Sequence, residues 1–378
     1  MRLRRNVPDR RVKMSVTTYI NDFLDNYKNY KDYWNYEDGC VLMGCQQLYK
    51  ASGDKKYFDF IITYLDKVID DDGVISNYET GKHNIDGFNA GKVLFLAYEK
   101  TGNEKYRKAI DFLISSLKEQ PRTKEGNFFH KAIYPDQVWL DGLYMAQPFY
   151  MEYETKYNKK ENYNDILNQF RNVRRIMFDP EKKLSYHGYD EARVQPWADK
   201  ETGLSPNFWL RSMGWYLMAM IDVIDNMSEE MYEFYREFCA QFREALDGIL
   251  QYRDKETGLF LQVIDHPEAA GNYAETSGSC MVAYAVMKAA RLEVISREKF
   301  APLGKEIFDS IVKEKLRTGE DGKEHLTDIC WVAGLGPGEK RDGSVEYYLS
   351  EKIVSDDSKG VGPFMMAYAQ RLMLDAEI

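Results

Sequence analysis

Apolar residues recur at helical spacing along almost the whole chain. Tyr57, Ile61, Tyr64, Leu65 and Val68 follow i, i+4, i+7, i+8 and i+11, one face of an amphipathic helix, whereas strand-like alternation is rare. A longer regularity lies above this one. A helix, a short polar turn and a second helix recur in CQQLYKASGDKKYFDFIITYL, LFLAYEKTGNEKYRKAIDFLI, FYMEYETKYNKKENYNDILNQF, YLMAMIDVIDNMSEEMYEFYREF and KAARLEVISREKFAPLGKEIF. Each hairpin is followed by a longer connection rich in Gly, Pro and aromatic residues. The helices after these connections are expected to start near residues 37, 86, 141, 211, 276 and 362.

Such onsets are too far apart and too irregular for tetratricopeptide or ankyrin arrays, whose period is about 33 or 34 residues. A ring that closes on itself fits better. The helices that follow the long connections (GFNAGKVLFLAY, GLYMAQPFYMEY, GWYLMAMIDVI, SGSCMVAYAVM, GPFMMAYAQRL) are nearly free of charge, so they belong inside, with polar partners outside. The pattern predicts an all-α fold, an (α/α)6 barrel of about twelve helices, six inner and six outer. Residues 1–14 read as a peripheral extension and 15–378 as a single barrel domain. All inner helices then begin at one end, and their N-termini and the long connections converge on one mouth, where function is expected. Pro148 sits inside the helix begun at Asp141 and predicts a bend there.

Composition narrows the chemistry. With 44% hydrophobic and 30% charged residues in 378, the chain has the make-up of an ordinary globule. Fifty-one Lys plus Arg against 61 Asp plus Glu leave a charge of -10, which excludes a general positive field for nucleic acid. The five Cys are scattered, without disulfide-framework or zinc spacing, and read as reduced core residues. No acidic cluster has calcium spacing, so neither metal nor cofactor is expected. No run approaches the roughly 20 apolar residues of a membrane span. The basic opening MRLRRNVPDRRVK is not followed by the apolar stretch of a secretion signal, so the chain reads as cytoplasmic, or periplasmic if a signal is missing from it. VAGLGPGEK is Gly-rich but lacks the GKS or GKT of a phosphate-binding loop and reads as a plain loop.

The mouth gathers the reactive residue types. Asp38, Asp86 and Asp141 each precede Gly at an expected helix start, where an Asp taken alone reads as a cap. Three of the five His (His83, His130, His187) and four Trp (Trp139, Trp197, Trp209, Trp215) share the same connections. Carboxylates, imidazoles and aromatic plates together describe a sugar site, where rings stack on apolar sugar faces and carboxylates move protons. Arg211 opens an apolar helix and needs either a protein carboxylate or an anionic ligand.

Several strings together resemble one family. VWLDGLYMAQPF, HGYDEA with PWA and TGLSPNFWLRSMGW, ETSGSCM, GLGPGEKRDGSVEYYLSEKIV and KGVGPF resemble the unsaturated rhamnogalacturonyl hydrolases of glycoside hydrolase family 105, relatives of the unsaturated glucuronyl hydrolases. The likeness runs from the first hairpin nearly to the end of the chain, and the first dozen residues fall outside it. It implies an oligosaccharide substrate whose non-reducing end is a 4,5-unsaturated uronic acid. By the same resemblance Asp141 is the proton donor and later the base, and Asp86 its assisting carboxylate. His187 binds the sugar near the water, Arg211 holds the substrate carboxylate, and Trp215, Trp139, His130 and Tyr36 shape the subsite. Connections 265–274 and 326–358 are expected to form the next subsite. A mildly acidic optimum follows if burial against Trp139 and repulsion from Asp86 keep Asp141 protonated against the helix dipole. The alternatives are a glucuronyl hydrolase on another polysaccharide, a sugar epimerase, or a non-catalytic oligosaccharide-binding protein.

Overall fold

The computed structural model describes residues 10–336, 338 and 340–376. The first helix, α1 (Arg10–Asp25), crosses the boundary read between residues 14 and 15. The hairpins that follow are closed by one repeated device. The helix α2 (Tyr36–Ser52) ends at Gly53, whose φ of 71° only glycine adopts freely, and Asp54 caps α3 (Lys55–Val68) through the N–H of Lys56. In the next unit the inner helix comes in two pieces, α4 (Phe88–Gly91) and α5 (Val93–Thr101). It ends at Gly102 with φ 64°, and Asn103 caps α6 (Glu104–Lys118). SGDKK and TGNEK are therefore the same hinge.

Three further hairpins are α7 (Leu140–Lys156) with α8 (Tyr163–Met177), α9 (Leu210–Asn226) with α10 (Tyr232–Leu250), and α11 (Thr276–Arg291) with α12 (Arg297–Lys315). After the short α13 (Val345–Ser350), α14 (Ser358–Ala376) is the last inner helix. Inner helices touch in the order α2, α4, α7, α9, α11, α14 and back to α2, which closes the expected ring. The sixth outer helix is α1, from the opposite end of the chain. Tyr19 meets Phe364 edge-on at 5.9 Å, and the Thr17 and Tyr368 hydroxyls lie 2.9 Å apart. Inner helices are buried nearly all round, α9 from Leu210 to Ile224 and α11 from Thr276 to Ala290. Close approach depends on small residues. A Cβ on Gly362 would lie 2.4 Å from the Cys40 carbonyl, so α2 and α14 could not sit at this distance with a larger residue there.

Observed starts at residues 36, 88, 140, 210 and 276 follow the sequence pattern. The last helix begins at Ser358 rather than near 362, because Asp357 caps it through the N–H of Lys359 at 2.9 Å and carries the helix into Gly360, Gly362 and Pro363. The Pro148 backbone has no N–H to give the Tyr144 carbonyl one turn earlier, and buried Lys92 takes that carbonyl instead, Nζ to O 2.6 Å. Lys92 lies at the junction between α4 and α5, so one ammonium bridges irregularities in two neighbouring inner helices. No helix among the described residues is long and apolar enough to cross a membrane.

Four two-stranded antiparallel pairs, too short to show as alternation, stitch the connections together: 137–139 with 188–190, 178–179 with 184–185, 316–318 with 324–326, and 329–330 with 353–354.

Candidate active site

One backbone bond recurs at four successive inner-helix starts. Ile85 N–H donates to the His130 carbonyl (3.2 Å), Leu140 to His187 (3.1 Å), Leu210 to Gln262 (3.0 Å) and Thr276 to Asp328 (3.1 Å). In each unit the connection after a hairpin folds back over the start of the preceding inner helix. The next residue of each helix start thus comes to an equivalent place: Asp86, Asp141, Arg211 and Ser277. The residues laid over the first two are both histidines. His130 Nε2 is 3.4 Å from Asp86 Oδ1, and His187 Nε2 is 3.4 Å from Asp141 Oδ2. Register of the 137–139 and 188–190 strands, with Trp139 opposite Gly188, fixes the second pair.

The two carboxylates differ in surroundings. Burial raises the Asp86 carboxyl, but Lys131 at 2.6 Å and then His130 outweigh it and hold Asp86 below the usual carboxylate range. Burial takes His130 down to about 4, although Asp86 opposes this, so its imidazole is neutral at physiological pH. Among the described residues Asp141 has no lysine or arginine at comparable range. Its Oδ2 is sealed from solvent without a hydrogen bond, while the side chain as a whole keeps 14% exposure. Oδ2 therefore lies beside His187, and the exposure belongs to the rest of the side chain.

Aromatic rings wall this pair. Trp139 stacks on His130 (4.4 Å) and Tyr134 (5.2 Å) and meets His187 edge-on at 5.5 Å. The Gly-rich loop contributes Leu335 to a cluster with Trp139 and Trp197, and Gly188 packs beneath it, where a Cβ would lie 2.4 Å from Leu335 Cδ1. Trp209 packs on His187 at 4.8 Å and carries the Arg211 guanidinium over its ring at 5.4 Å. Asp141, His187, Trp209 and Arg211 thus form one continuous set of contacts. Tyr36, Asp86 and Lys131 line a cleft of about 220 Å³ at the same mouth. A larger groove of 680 Å³, between α1 and residues 321–358, contains none of the predicted site residues.

Arg211 has the protein carboxylate that its position demanded. Glu275 lies 3.6 Å from Nη2, Ser277 Oγ accepts from Nε at 2.7 Å, and the Cys330 carbonyl accepts from Nη2. Nη1 makes no hydrogen bond among the described residues. Trp215 is buried and stacks on Tyr144 at 4.6 Å, within the barrel rather than on an open wall. Asp38 is a structural anchor, accepting from the Tyr30 N–H (2.8 Å), Asn35 (2.6 Å) and the Tyr27 hydroxyl.

Sequence reasoning passed over Lys131, Glu275 and Tyr348, whose hydroxyl lies 2.7 Å from His187 Nδ1. Glu275 had a visible signal as an acid before TSGS, and it caps α11 through the N–H groups of Ser277 and Gly278. Lys131 and Tyr348 had none.

Barrel and mouth together define an α/α barrel with two His–Asp pairs at one end. The sequence model of Glycosyl Hydrolase Family 88 matches residues 10–375, and the chain belongs to that family; it is a glycoside hydrolase. A Clostridium acetobutylicum glycoside hydrolase of family 105 superposes with a TM-score of 0.89 at 40% identity, covering 94% of this chain and 99% of the other. The family-105 resemblance of the sequence is thereby shown. Protein Atu3128 of Agrobacterium fabrum is 41% identical over 61% of this chain and 99% of its own length. Unsaturated rhamnogalacturonyl hydrolase YesR of Bacillus subtilis is 24% identical over 73% of this chain and 77% of its own.

Proposed function

We propose that this glycoside hydrolase removes a 4,5-unsaturated uronic acid from the non-reducing end of oligosaccharides left by polysaccharide lyases, with unsaturated galacturonyl-rhamnose from rhamnogalacturonan as the preferred class. The substrate is a vinyl ether. Its C4 can accept a proton, which leaves an oxocarbenium-like centre at C5, unlike the direct acid-assisted cleavage of ordinary glycosides. Asp141 gives the proton to C4, and its carboxylate then takes a proton from the water whose oxygen bonds to C5. The resulting hemiketal opens and releases the neighbouring sugar. Asp86, kept ionised by Lys131, stabilises the positive charge developing nearby. Arg211 Nη1 and Lys131 attract the uronate carboxylate, and Trp139 and Tyr36 bound the ring.

The observation that carries this reading is the unlike pair of His–Asp contacts. One carboxylate is paired with a lysine at 2.6 Å, and the other meets only an imidazole, at 3.4 Å. The relationship to YesR favours the rhamnogalacturonan class. The test incubates the protein with lyase-made pectic and glycosaminoglycan disaccharides and follows loss of ultraviolet absorbance from the conjugated double bond. Pectic substrates should be consumed faster and saturated analogues left intact. Faster loss of glycosaminoglycan substrate overturns the sugar preference, and turnover of saturated analogues overturns the mechanism.

A further inference from the structure

His187 has two sides, and only one faces Asp141. Its Nδ1 meets the hydroxyl of Tyr348 at 2.7 Å, and both residues are fully buried. Tyr348 arrives from α13, and three contacts hold it there. Ser344 caps that helix through the Tyr347 N–H at 3.0 Å, and the Tyr348 ring lies parallel to Trp209 at 6.0 Å. The Gln262 side chain donates to the Tyr348 carbonyl at 3.2 Å and accepts from the Trp209 indole at 3.1 Å.

We infer that Tyr348 is a positioning residue: its O–H donates to His187 Nδ1 and so places the imidazole proton on Nε2, a buried nitrogen without a hydrogen bond that lies 3.4 Å from the sealed Oδ2 of Asp141. The inference deepens the proposed function and rests on it for its catalytic consequence. The alternative tautomer is disfavoured by the charge beside it. Among the described residues the Tyr348 hydroxyl has one hydrogen-bond partner, Nδ1. A proton on Nδ1 would leave the phenol proton without an acceptor in a buried site, and would turn the Nε2 lone pair toward a carboxylate oxygen 3.4 Å away. Burial, with Tyr347 and Asp141 adding, pushes the Tyr348 phenol well above its usual value, so it keeps its proton.

The consequence lies in the proton transfer. When Asp141 gives its proton to C4 it becomes an anion in a site without a neighbouring cation. An Nε2–H 3.4 Å from Oδ2 puts its positive end beside that anion and leaves the other oxygen to accept the proton from water. Tyr348 thus acts on the reaction through His187 without touching substrate.

The tautomer can be read without any substrate, by proton–nitrogen correlation NMR on the nitrogen-labelled full chain, with His187 assigned by its loss in His187→Asn. Wild type should show His187 protonated on Nε2 with a hydrogen-bonded Nδ1. In Tyr348→Phe that Nδ1 bond should vanish, and kcat should fall roughly tenfold, the size of one hydrogen bond, with KM unchanged. Tyr347→Phe, which removes the hydroxyl that accepts from the Gly334 N–H, should leave the His187 signals in place. A wild-type proton on Nδ1 overturns the inference, as does a Tyr348→Phe protein with unaltered His187 nitrogen shifts and kcat. If the wild type acts on no unsaturated oligosaccharide, the proposed function falls and the nitrogen shifts still decide the tautomer. If Tyr348→Phe does not fold, the wild-type spectrum decides alone.

Discussion

Asp141 and Asp86 occupy equivalent places beside equivalent histidines, and a single lysine makes them different. Replacing Asp141 by Asn keeps the shape and removes the exchangeable proton, so turnover should drop by about 10² to 10⁴ with the melting temperature unchanged. Steady-state rates on a lyase-made disaccharide, set beside a thermal melt, check this; substantial residual turnover would assign the proton to another group. Replacing Lys131 by Met leaves Asp86 buried without its cation. The carboxyl, now held below its usual range, should then rise, and the acidic limb of kcat/KM against pH should move to higher pH. An unmoved limb would show that it does not report Asp86. The acids, histidines and Arg211 stood out as candidates because few residue types can move protons or hold an anion and these sit together at helix starts. Lys131 looks like any lysine in a polar loop, and Tyr348 is one of 28 tyrosines.

Helices and their junctions were legible too, since spacing and capping act within a few residues of chain. Gly53 with Asp54 and Gly102 with Asn103 announce where one helix stops and the next begins. Pro148 announces only a missing hydrogen bond; that Lys92 supplies the replacement depends on a different helix. Burial, only partly offset by Asp222, brings Lys92 down to about 7 from its ordinary 10.5, so the unfolded chain binds the proton more readily over that interval. Stability should therefore rise with pH between about 7 and about 10.5, and the Lys92→Met variant should lack that component. Chemical denaturation of both proteins across that range measures the difference, and parallel curves would place Lys92 in a wetter site.

The ring closes through a contact between the two ends of the chain. Outer faces of five inner helices are covered by the next helix in sequence, but Phe364 and Tyr368 on α14 are covered by α1 on one side and by Phe308 of α12 on the other. Deleting residues 1–25 should uncover that apolar face and lower the melting temperature or drive aggregation, because burial of such side chains is worth about 1.5–3 kcal/mol each. Calorimetry with light scattering tests it. An unchanged melt would make α1 dispensable for ring closure.

What residue order alone settles is whatever depends on near neighbours: which segments are helical, where caps break them, and which helices are too apolar to face water. From this came the barrel, and the end of it where the candidate site residues gather. The placing of His187 against Asp141, Glu275 against Arg211 and Tyr348 behind His187 lies beyond that reach. Tyr348 and His187 are separated by 161 residues, and the hydrogen bond between them requires every intervening hairpin to pack in turn. Short-range preferences act through backbone torsions and water. Partners across the mouth are chosen by the folding of each long connection over the preceding helix start, a geometry that exists only once the ring has closed.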